Sequence, residues 1–382
     1  MTLDVDARAA ELVSFALSTL PAMRLEDGVF CHEVVAPGER ASGGRLGRGA
    51  RAPAGAGPSR LGRSLRYTLM VLIGALRARD AGLALPFDPG ELWPPALAEL
   101  RSARLTVGDL GLALWADARC GLESADRIAA ALDERLSKTD VDDLEGHELS
   151  WIATGCAHAV AAGKDEPRVQ RWLERSSELL IARARTPSGL LCQYESGLRA
   201  RFPHFATQVY GVLALVAVAR ARDDERPAAV AVKVADRLLE LQLADGAWPW
   251  IYDAQRGTVI EPYRLYSVHQ DAMAPMALQA LSELTGEARF ARSALRGLPW
   301  VWGANELATP MLDRGEDMLY RSINRRGWRD RAMLWGNTIA ARVAGPLRAR
   351  QGGPTEVERT DRPYHLGWVL EAWADRVAAL RA

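Results

Sequence analysis

The chain has 382 residues, of which 48% are hydrophobic, and its 48 Lys and Arg balance its 48 Asp and Glu. A neutral chain of this composition is typical of a globular protein and lacks the basic excess that nucleic-acid or anionic-membrane partners require. The four cysteines lie far apart with no CxxC pair, which argues against a zinc site or a disulfide framework. The N-terminal stretch lacks the basic start of a signal peptide, and the longest apolar run, residues 69–76, is too short for a membrane span. These features predict a cytoplasmic protein.

Helical segments of two kinds alternate along the chain, as judged from the spacing of apolar residues and from Gly, Pro or charged breaks. Segments with one charged face are typical of an outer layer, and they cover residues 6–20, 91–101, 125–137, 169–184, 228–243 and 288–301. Segments that are apolar on nearly every side are typical of buried helices, and they cover residues 63–77, 109–119, 148–162, 205–220, 271–284 and 364–377.

Strict alternation of outer and inner helices predicts an all-α fold, an (α/α)6 toroid in which six helical hairpins close into a double-walled barrel. The hairpins repeat in pattern but not in sequence, at a period of about sixty residues. An open α-solenoid is the rival arrangement. A toroid would make residues 1–382 a single domain.

Two segments interrupt this alternation. Residues 36–62 are rich in Gly, Ala, Pro and Arg, which predicts a mobile loop, either without a role or acting as a basic lid over an anionic ligand. Residues 248–267 contain two strand-like runs on either side of Gln255, Arg256 and Gly257, which predicts a short β-hairpin.

A short motif, LLELQLADGAWPW at residues 238–250, contains Gln242, Asp245, Gly246 and Trp248 just after a helix end. It resembles the QW repeat of terpenoid cyclases and the related prenyltransferase and squalene oxidase repeat, whose members are α/α toroids. Residues 140–143, DVDD, resemble the DxDD signature of class II terpenoid cyclases. That resemblance implies that Asp142 protonates an alkene or epoxide. The alternative is a solvated acidic loop that caps a helix N-terminus.

In a toroid all inner helices run in the same direction, so their N-termini meet at one mouth of the barrel. Four of the six histidines lie near predicted inner starts, and histidine is the side chain best suited to proton transfer near neutral pH. We therefore expect the catalytic acids and bases among Asp109, Glu148, Asp271, His204, His269 and His365. Asp109 and Asp271 are also natural N-cap residues, which is their alternative role.

Substrate-binding candidates lie around the same predicted mouth. Arg66, Arg321 and Arg362 could each hold a carboxylate or phosphate through two hydrogen bonds, although Arg321 could instead belong to a surface ion-pair network. Aromatic rings suited to stacking on sugar faces and amides or hydroxyls suited to binding sugar hydroxyls complete the set: Tyr67, Trp151, Gln208, Trp248, Trp250, Tyr266, Gln270 and Tyr364.

A hydrocarbon cyclase requires an apolar cavity, whereas this mouth is rich in polar side chains. Six-hairpin toroids are also similar to glycoside hydrolases, unsaturated-glycan hydrolases and sugar epimerases. We therefore expect a carbohydrate-active enzyme, a hydrolase, lyase or epimerase, that works by acid–base proton transfer on a small-molecule or oligosaccharide substrate. The alternatives are a class II-like terpenoid cyclase that uses Asp142, and a non-catalytic binding toroid.

No HxH, HExxH, Gly-rich phosphate loop or dinucleotide motif points to a metal or cofactor, and the sequence leaves the oligomeric state open.

Overall fold

The computed structural model describes residues 4–39, 41, 52, 57–99, 105–164, 166–197, 199–325 and 354–381. In chain order the α-helices of this part are α1 (Val5–Met23), α2 (Leu65–Asp80), α3 (Trp93–Ala98), α4 (Val107–Cys120), α5 (Ala125–Leu136), α6 (Gly146–Ala161), α7 (Pro167–Arg183), α8 (Phe205–Arg222), α9 (Glu225–Leu241), α10 (Ala274–Thr285), α11 (Ala288–Arg296), α12 (Leu298–Val301) and α13 (Pro363–Ala379). Within these ranges, no helix combines the length and hydropathy needed to cross a bilayer.

An inner ring is formed by α2, α4, α6, α8, α10 and α13. Each of these helices packs on the next, and α13 packs on α2, so the ring is closed. The outer helices α1, α3, α5, α7, α9 and α11 pack on α13, α2, α4, α6, α8 and α10 respectively. The predicted six-hairpin toroid is therefore confirmed, and the open solenoid is wrong.

The two helix layers follow from their sequences. On the outer helix α9, the buried residues Ala231, Val234, Ala235 and Leu238 recur every three or four positions and form one apolar stripe. On the inner helix α8, by contrast, almost every residue between Phe205 and Ala219 is buried. An inner helix contacts neighbours on both sides, its outer partner and the barrel axis, so it has no face left for charged residues.

Glycines allow neighbouring inner helices to pack with their backbones in direct contact. A Cβ atom at Gly74 of α2 would lie 1.9 Å from the carbonyl oxygen of Gly367 on α13. A Cβ atom at Gly155 of α6 would likewise lie 2.0 Å from the carbonyl oxygen of Gly111 on α4. Any larger residue at these positions would force the two helices apart.

Short antiparallel strands connect the helices, and many of them lead into the inner ring. They are β1 (Glu33–Val35), β2 (Ser59–Leu61), β3 (Ile251–Asp253), β4 (Thr258–Glu261), β5 (Leu265–Tyr266), β6 (Leu312–Asp313), β7 (Met318–Leu319), β8 (Ser322–Arg325), β9 (Thr355–Glu358) and β10 (Thr360–Asp361). Strand β1 pairs with β2 and β10, β8 pairs with β5 and β9, and β6 pairs with β7. The predicted hairpin is confirmed as β3 paired with β4.

Several predicted boundaries differ from the structure. The last outer segment, residues 288–301, is divided at Gly297 into α11 and α12. The second outer segment is a 3-10 turn, Pro89–Leu92, followed by the short helix α3. Of the predicted loop 36–62, residues 59–61 form β2, while residues 40, 42–51 and 53–56 lie outside the described part.

The expected N-caps also differ. The N-cap of α4 is Thr106, and Asp109 is its partner in a capping box, with its side chain accepting from the Thr106 N–H. Asp271 does not start a helix. It lies inside one π-helical turn, His269–Met273, that precedes α10, and turns of this kind are frequent at functional sites.

Candidate active site

A cavity of about 230 Å³ opens where the N-termini of the inner helices meet. Its walls combine imidazoles, phenols, indoles and guanidiniums with a few apolar side chains: Arg66, Tyr67, Met70, His147, Trp151, His204, Ala206, Tyr210, Trp250, Tyr266, His269, Met273, Arg321 and Tyr364. Within the described part of the chain, this wall contains neither Asp nor Glu. We call this space the N-terminal cavity.

Three imidazoles enter the N-terminal cavity from three neighbouring hairpins. His147 lies in the first turn of α6, His204 immediately precedes α8, and His269 begins the π turn before α10. Burial lowers the pKa of all three, to about 4 for His147 and about 3 for His269. All three are therefore neutral near pH 7 and able to accept a proton or donate a hydrogen bond.

Aromatic rings hold these imidazoles in place. His204 stacks on Trp250 with ring centroids 5.4 Å apart, and its backbone N–H donates to the Gln193 side chain. His269 lies between Phe205 and Tyr266, at 4.6 and 5.0 Å, and its Nδ1 atom is buried without a hydrogen-bond partner in the described structure. Ring packing of this kind fixes the orientation of each imidazole before a substrate arrives.

Each guanidinium of the N-terminal cavity is backed by a carboxylate outside its wall. Arg66 donates from Nε to Asp109 Oδ1 at 2.5 Å, and Asp109 is buried in the capping box of α4. Arg321 donates from Nη1 to Glu358 Oε1 at 3.0 Å. Burial, taken alone, would raise the pKa of Glu358, but Arg321 together with hydrogen bonds from Asn324 and Ser322 lowers it to about 2. Both guanidinium charges are therefore largely balanced.

Four tyrosines complete the polar wall. Tyr67 and Tyr364 lie with ring centroids 4.7 Å apart, and Arg321 lies over the ring of Tyr266. The hydroxyl of Tyr210 accepts a hydrogen bond of 2.7 Å from Trp368 Nε1. Burial raises the pKa of Tyr210 and Tyr364, so both remain protonated and can donate to a substrate oxygen.

A buried acid–imidazole pair lies behind His269. His365 Nε2 and Asp271 Oδ1 are 2.7 Å apart, both side chains are buried, and neither belongs to the wall of the N-terminal cavity. After burial, His365 makes the largest contribution to the low pKa of His269, which places the pair close to it. Asp271 and His365 therefore occupy a second layer.

Two other predicted acids also lie outside this cavity wall. Glu148 is close to Arg66, with Nη2 and Oε1 3.8 Å apart, and burial raises the pKa of its carboxyl. The Asp142 side chain is 46% exposed and lies 3.6 Å from Arg175. Asp140 instead caps the 3-10 turn Val141–Asp143 by accepting from the Asp142 N–H, which agrees with the acidic capping loop.

Four predicted binding residues do not belong to the wall of the N-terminal cavity. The Gln208 amide bonds both the N–H and the carbonyl of Leu191, and Gln270 bonds the Trp248 N–H and the Tyr266 carbonyl. The Trp248 side chain is fully buried and stacks on Phe205. Arg362 is buried in an ion pair with Glu33, so the predicted contacts of these four with substrate do not match their positions.

The QW-like motif is a structural turn. Gln242 Nε2 donates to the Gly246 and Ser293 carbonyls, and Asp245 accepts from the Ala247 N–H. Gly246 has φ of +87°, and a Cβ atom there would lie 2.0 Å from the Arg296 carbonyl oxygen. The motif therefore joins α9 to the end of α11 and brings no side chain of its Gln–Asp–Gly turn to the cavity.

Besides His147, two aromatic groups near the site were not among the predicted catalytic and binding residues. Tyr210 lies on α8 one turn after Ala206, so helical periodicity from the helix start would have placed both on one face. His32 stacks on Tyr67 with centroids 5.3 Å apart, and burial lowers its pKa to about 4. His32 directly precedes β1, in a segment that the helical pattern does not cover.

In the described residues, no group of three or more His, Cys, Asp or Glu side chains is arranged to hold a metal ion. No protein-family model matches the chain, and no curated protein sequence is detectably similar to it.

Similar solved structures nevertheless cover nearly the whole chain. A D-mannose isomerase matches with a TM-score of 0.63 at 11% identity, covering 100% of both chains. A sugar epimerase from a ruminal bacterium matches with 0.61 at 12% identity, covering 96% of this chain and 98% of that one. An unsaturated glucuronyl hydrolase specific for heparin matches with 0.58 at 14% identity, covering 98% of both. These similarities establish a shared α/α-toroid fold.

Proposed function

We propose that this protein is a sugar isomerase or epimerase that moves a proton at the carbon next to the carbonyl group of a neutral monosaccharide. The observation that carries the proposal is the N-terminal cavity itself, where three neutral imidazoles converge and the described wall contains no carboxylate. Glycoside hydrolysis usually needs two carboxyl groups facing each other across the sugar. Proton transfer next to a carbonyl needs a base and a hydrogen-bond donor to the oxygen, and imidazoles can provide both.

His204 is the best candidate for the base. Burial lowers the pKa of all three imidazoles, and the Glu145 carboxylate partly offsets this for His204 and for His147 but not for His269. Proton transfer is most efficient when the pKa of the base is near the working pH. His204 is half-buried and held by its stacking on Trp250, whereas His269 is buried, so the His204 ring is the more accessible of these two to a substrate C–H group.

His269 suits the opposite role, that of a neutral donor. Its pKa of about 3 keeps the ring uncharged over the working range, so it can donate one N–H to the substrate carbonyl oxygen without losing a proton. Neutral imidazole is an established electrophile in sugar isomerisation of this type. Arg66, Arg321 and the tyrosine hydroxyls would hold the remaining oxygens.

The proposed reaction has two steps, removal of a proton from C2 and return of a proton to C1 or C2. His204 takes the proton from C2 of the open-chain sugar, the C–H electron pair forms the C1–C2 double bond, and the carbonyl oxygen takes the negative charge. Return of the proton to C1, with transfer of the O2 proton to the negative O1, gives the ketose, whereas protonation of C2 on the opposite face, with re-formation of the C1 carbonyl, gives the epimer. His147 enters from a different hairpin, and its protonated form is the candidate donor on that opposite face, while His204 keeps the proton that it removed.

Size and charge define the substrate class. A cavity of about 230 Å³ is below the range of about 300–1,000 Å³ that suits drug-sized ligands, and so fits a single sugar ring or chain. The carboxylates behind Arg66 and Arg321 remove most of the positive potential that a uronic acid would need. The names of two similar structures, a D-mannose isomerase and a sugar epimerase, support the same substrate class.

The test is proton exchange in D2O with D-mannose, D-glucose and D-fructose, followed by proton NMR of the hydrogens at C1 and C2 and by chromatography of the products. We expect enzyme-dependent exchange and interconversion with at least one of these sugars. His204→Asn should reduce kcat by at least about 100-fold, the usual loss for a general base. His158→Asn, a matched change of a buried histidine far from this cavity, should retain the wild-type rate.

Hydrolysis is the second candidate, because burial raises the pKa of Glu148 and so prepares it to donate a proton beside Arg66. This alternative predicts that Glu148→Gln loses as much activity as His204→Asn and that an oligosaccharide is cleaved. Cleavage of unsaturated or acidic oligosaccharides without exchange at C2 would contradict the isomerase proposal.

A further inference from the structure

A second and larger cavity, of about 490 Å³, lies at the opposite mouth of the barrel, where the inner helices end. All six inner helices contribute to its wall: Arg77, Trp115, Arg119, Ala157, His158, Ala161, Leu213, Val216, Ala217, Arg220, Ala221, Met276, Gln279, Ala280, Glu283, Glu371, Ala372, Asp375 and Arg376. We call this space the C-terminal cavity. Its volume is within the range of about 300–1,000 Å³ that is typical of small-molecule sites.

Small side chains create this space. Six alanines line the C-terminal cavity, and they leave room that leucine or valine would fill. Its aromatic floor is rigid, because Trp115 stacks on His158 with centroids 4.9 Å apart and an angle of 7° between the rings. Behind that floor Trp115 also stacks on Trp368 at 5.7 Å. Apolar walls and a fixed aromatic floor suit a ligand with an apolar ring or chain.

Arginine–carboxylate pairs set the charge at this mouth. Four guanidiniums and three carboxylates line the C-terminal cavity, and the partner of the fourth guanidinium, that of Arg376, is Asp6 outside the wall. The helix C-termini add partial negative charge, which arginines in the last helical turns offset. Around His158 the nearby charges are positive, because Arg119, Arg77 and Arg220 all lower its pKa in addition to the effect of burial. No carboxylate acts on that imidazole appreciably.

Hydrogen-bond donors without acceptors lie in the same wall. Trp115 Nε1, Gln279 Nε2 and Arg77 Nε are buried, and none of them has a hydrogen-bond partner in the described structure. Trp115 is only 1% exposed, so water reaches it poorly. Buried N–H groups without partners are costly, and a ligand with several acceptor oxygens would satisfy them.

We propose that the C-terminal cavity binds a small organic anion, with a carboxylate or phosphate head toward the arginines and an apolar body on the alanine and tryptophan walls. The inference does not depend on the reaction at the N-terminal cavity. Arg220 is the head-group contact that can be tested most directly, because its side chain is 46% exposed and its ion pair of 3.2 Å is with the exposed Glu283. An incoming anion can compete with Glu283 for that guanidinium.

The test is isothermal titration calorimetry of the full chain with phenyl phosphate, benzoate and the neutral benzyl alcohol. We expect at least one of the two anions to bind at least tenfold more tightly than benzyl alcohol, and the preferred head group then identifies a phosphate or a carboxylate ligand. Failure of both anions to bind, or equal binding of benzyl alcohol, would overturn the proposal.

Two variants locate the bound probe. Arg220→Gln removes one exposed guanidinium and should weaken anion binding at least tenfold, while Arg226→Gln, a change of an exposed arginine on α9, should leave it unaltered. Ala217→Leu fills the cavity and should also abolish binding, provided that its thermal unfolding remains cooperative. Anion affinity that is unaltered in Arg220→Gln would place the probe elsewhere and refute the site.

Discussion

The two mouths lie at opposite ends of the same ring of inner helices, and Arg–carboxylate pairs occur at both, but the pairs are arranged differently. At the N-terminal cavity, Asp109 and Glu358 lie behind the wall, so only the guanidiniums of Arg66 and Arg321 face the cavity together with imidazoles and phenols. At the C-terminal cavity both members of a pair, such as Arg119 and Glu371, belong to the wall. Whether the carboxylate of a pair faces the cavity, and not merely whether a pair is present, therefore determines which charged groups a ligand meets there.

Aromatic side chains connect the two mouths through the barrel. The contacts run from Trp115 to Trp368, from Trp368 to Tyr210 and from Tyr210 to Trp151, with ring centroids 5.7, 6.2 and 5.3 Å apart. Trp151 and Tyr210 line the N-terminal cavity, whereas Trp115 lines the C-terminal one. The two cavities are thus separated by one rigid aromatic layer, and changes to either mouth can be designed without touching the other.

The largest expected effect comes from a substitution that separates two inner helices and so disrupts both cavities. Gly74→Ala places a Cβ atom 1.9 Å from the Gly367 carbonyl oxygen, so α2 and α13 must separate. We expect the free energy of unfolding to fall by about 3 kcal/mol or more, at the upper end for overpacking. Urea denaturation measures this, with Gly57→Ala as the control, because a Cβ atom at Gly57 meets nothing within 4 Å. Unaltered stability of the Gly74 variant would disprove the close crossing.

Acid should destabilise the protein mainly through the N-terminal mouth. Burial lowers the pKa of His32 and His147 to about 4 and of His269 to about 3, whereas unfolded imidazoles titrate near 6.5. Between about pH 6.5 and pH 4 the unfolded chain therefore binds more protons, and stability falls as the pH falls, by at most about 1.4 kcal/mol per pH unit for each imidazole. Asp361, whose pKa burial raises to about 6, opposes this trend in part.

Urea denaturation at several pH values measures that slope. At the C-terminal mouth, burial lowers the pKa of His158 to about 3. His158→Phe should therefore reduce the pH dependence of the free energy of unfolding by the contribution of one imidazole and leave the contributions of the others unchanged. A slope of zero in the wild type between about pH 6.5 and pH 4, or a slope lost completely in His158→Phe, would contradict the assignment to the N-terminal mouth.

Glu358→Gln should convert a neutral cavity into a cationic one. The change leaves the charge of Arg321 without its compensating carboxylate, while Ser322 and Asn324 can still bond the amide. We expect the preference for a uronic acid over the corresponding neutral sugar to rise about tenfold, equivalent to about 1.4 kcal/mol. Calorimetry with glucuronate and glucose measures it, and Glu356→Gln on the same strand is the control. An unaltered preference would argue against charge balance as the basis of selectivity.

The smallest effect is expected for a surface pair at the C-terminal mouth. Arg77 and Asp375 form an ion pair in which both side chains are more than a third exposed. Exposed pairs contribute about 0–1 kcal/mol, so Arg77→Gln should alter the free energy of unfolding by less than that and leave the rate at the other mouth unchanged. A loss as large as that of Gly74→Ala would show that this pair supports the ring.

The layered fold could be predicted because inner and outer helices differ in how much of their circumference is apolar, a property that each segment carries in its own sequence. The positions of Arg66, His147, His204 and His269 could also be predicted, since helix starts in a toroid converge on one mouth. The direction of individual side chains could not be predicted. Gln208 lies in the same first turn of α8 as Ala206, but its amide bonds Leu191, and only the packing of α8 against the preceding loop decides this.

Other differences have similar local causes. Asp271 has the sequence of an N-cap, yet the π turn encloses it and turns its carboxylate to His365, an interaction across 94 positions of the chain. The position of His32 could not be predicted, because it depends on the pairing of β1 with β10, which brings together two segments more than 300 residues apart. Long-range pairing of short strands leaves little periodicity in a sequence.

The contact between Gly74 and Gly367 also constrains the order in which the chain can fold. Helix α13 packs on both α1 and α2, so the first hairpin has no complete neighbour until α13 has been synthesised. Local hairpins can form early, but ring closure needs contacts between distant segments, and such contacts slow folding. During synthesis the apolar faces of α2 therefore remain open longest. This seam is where we expect a folding chaperone, or aggregation, to act first.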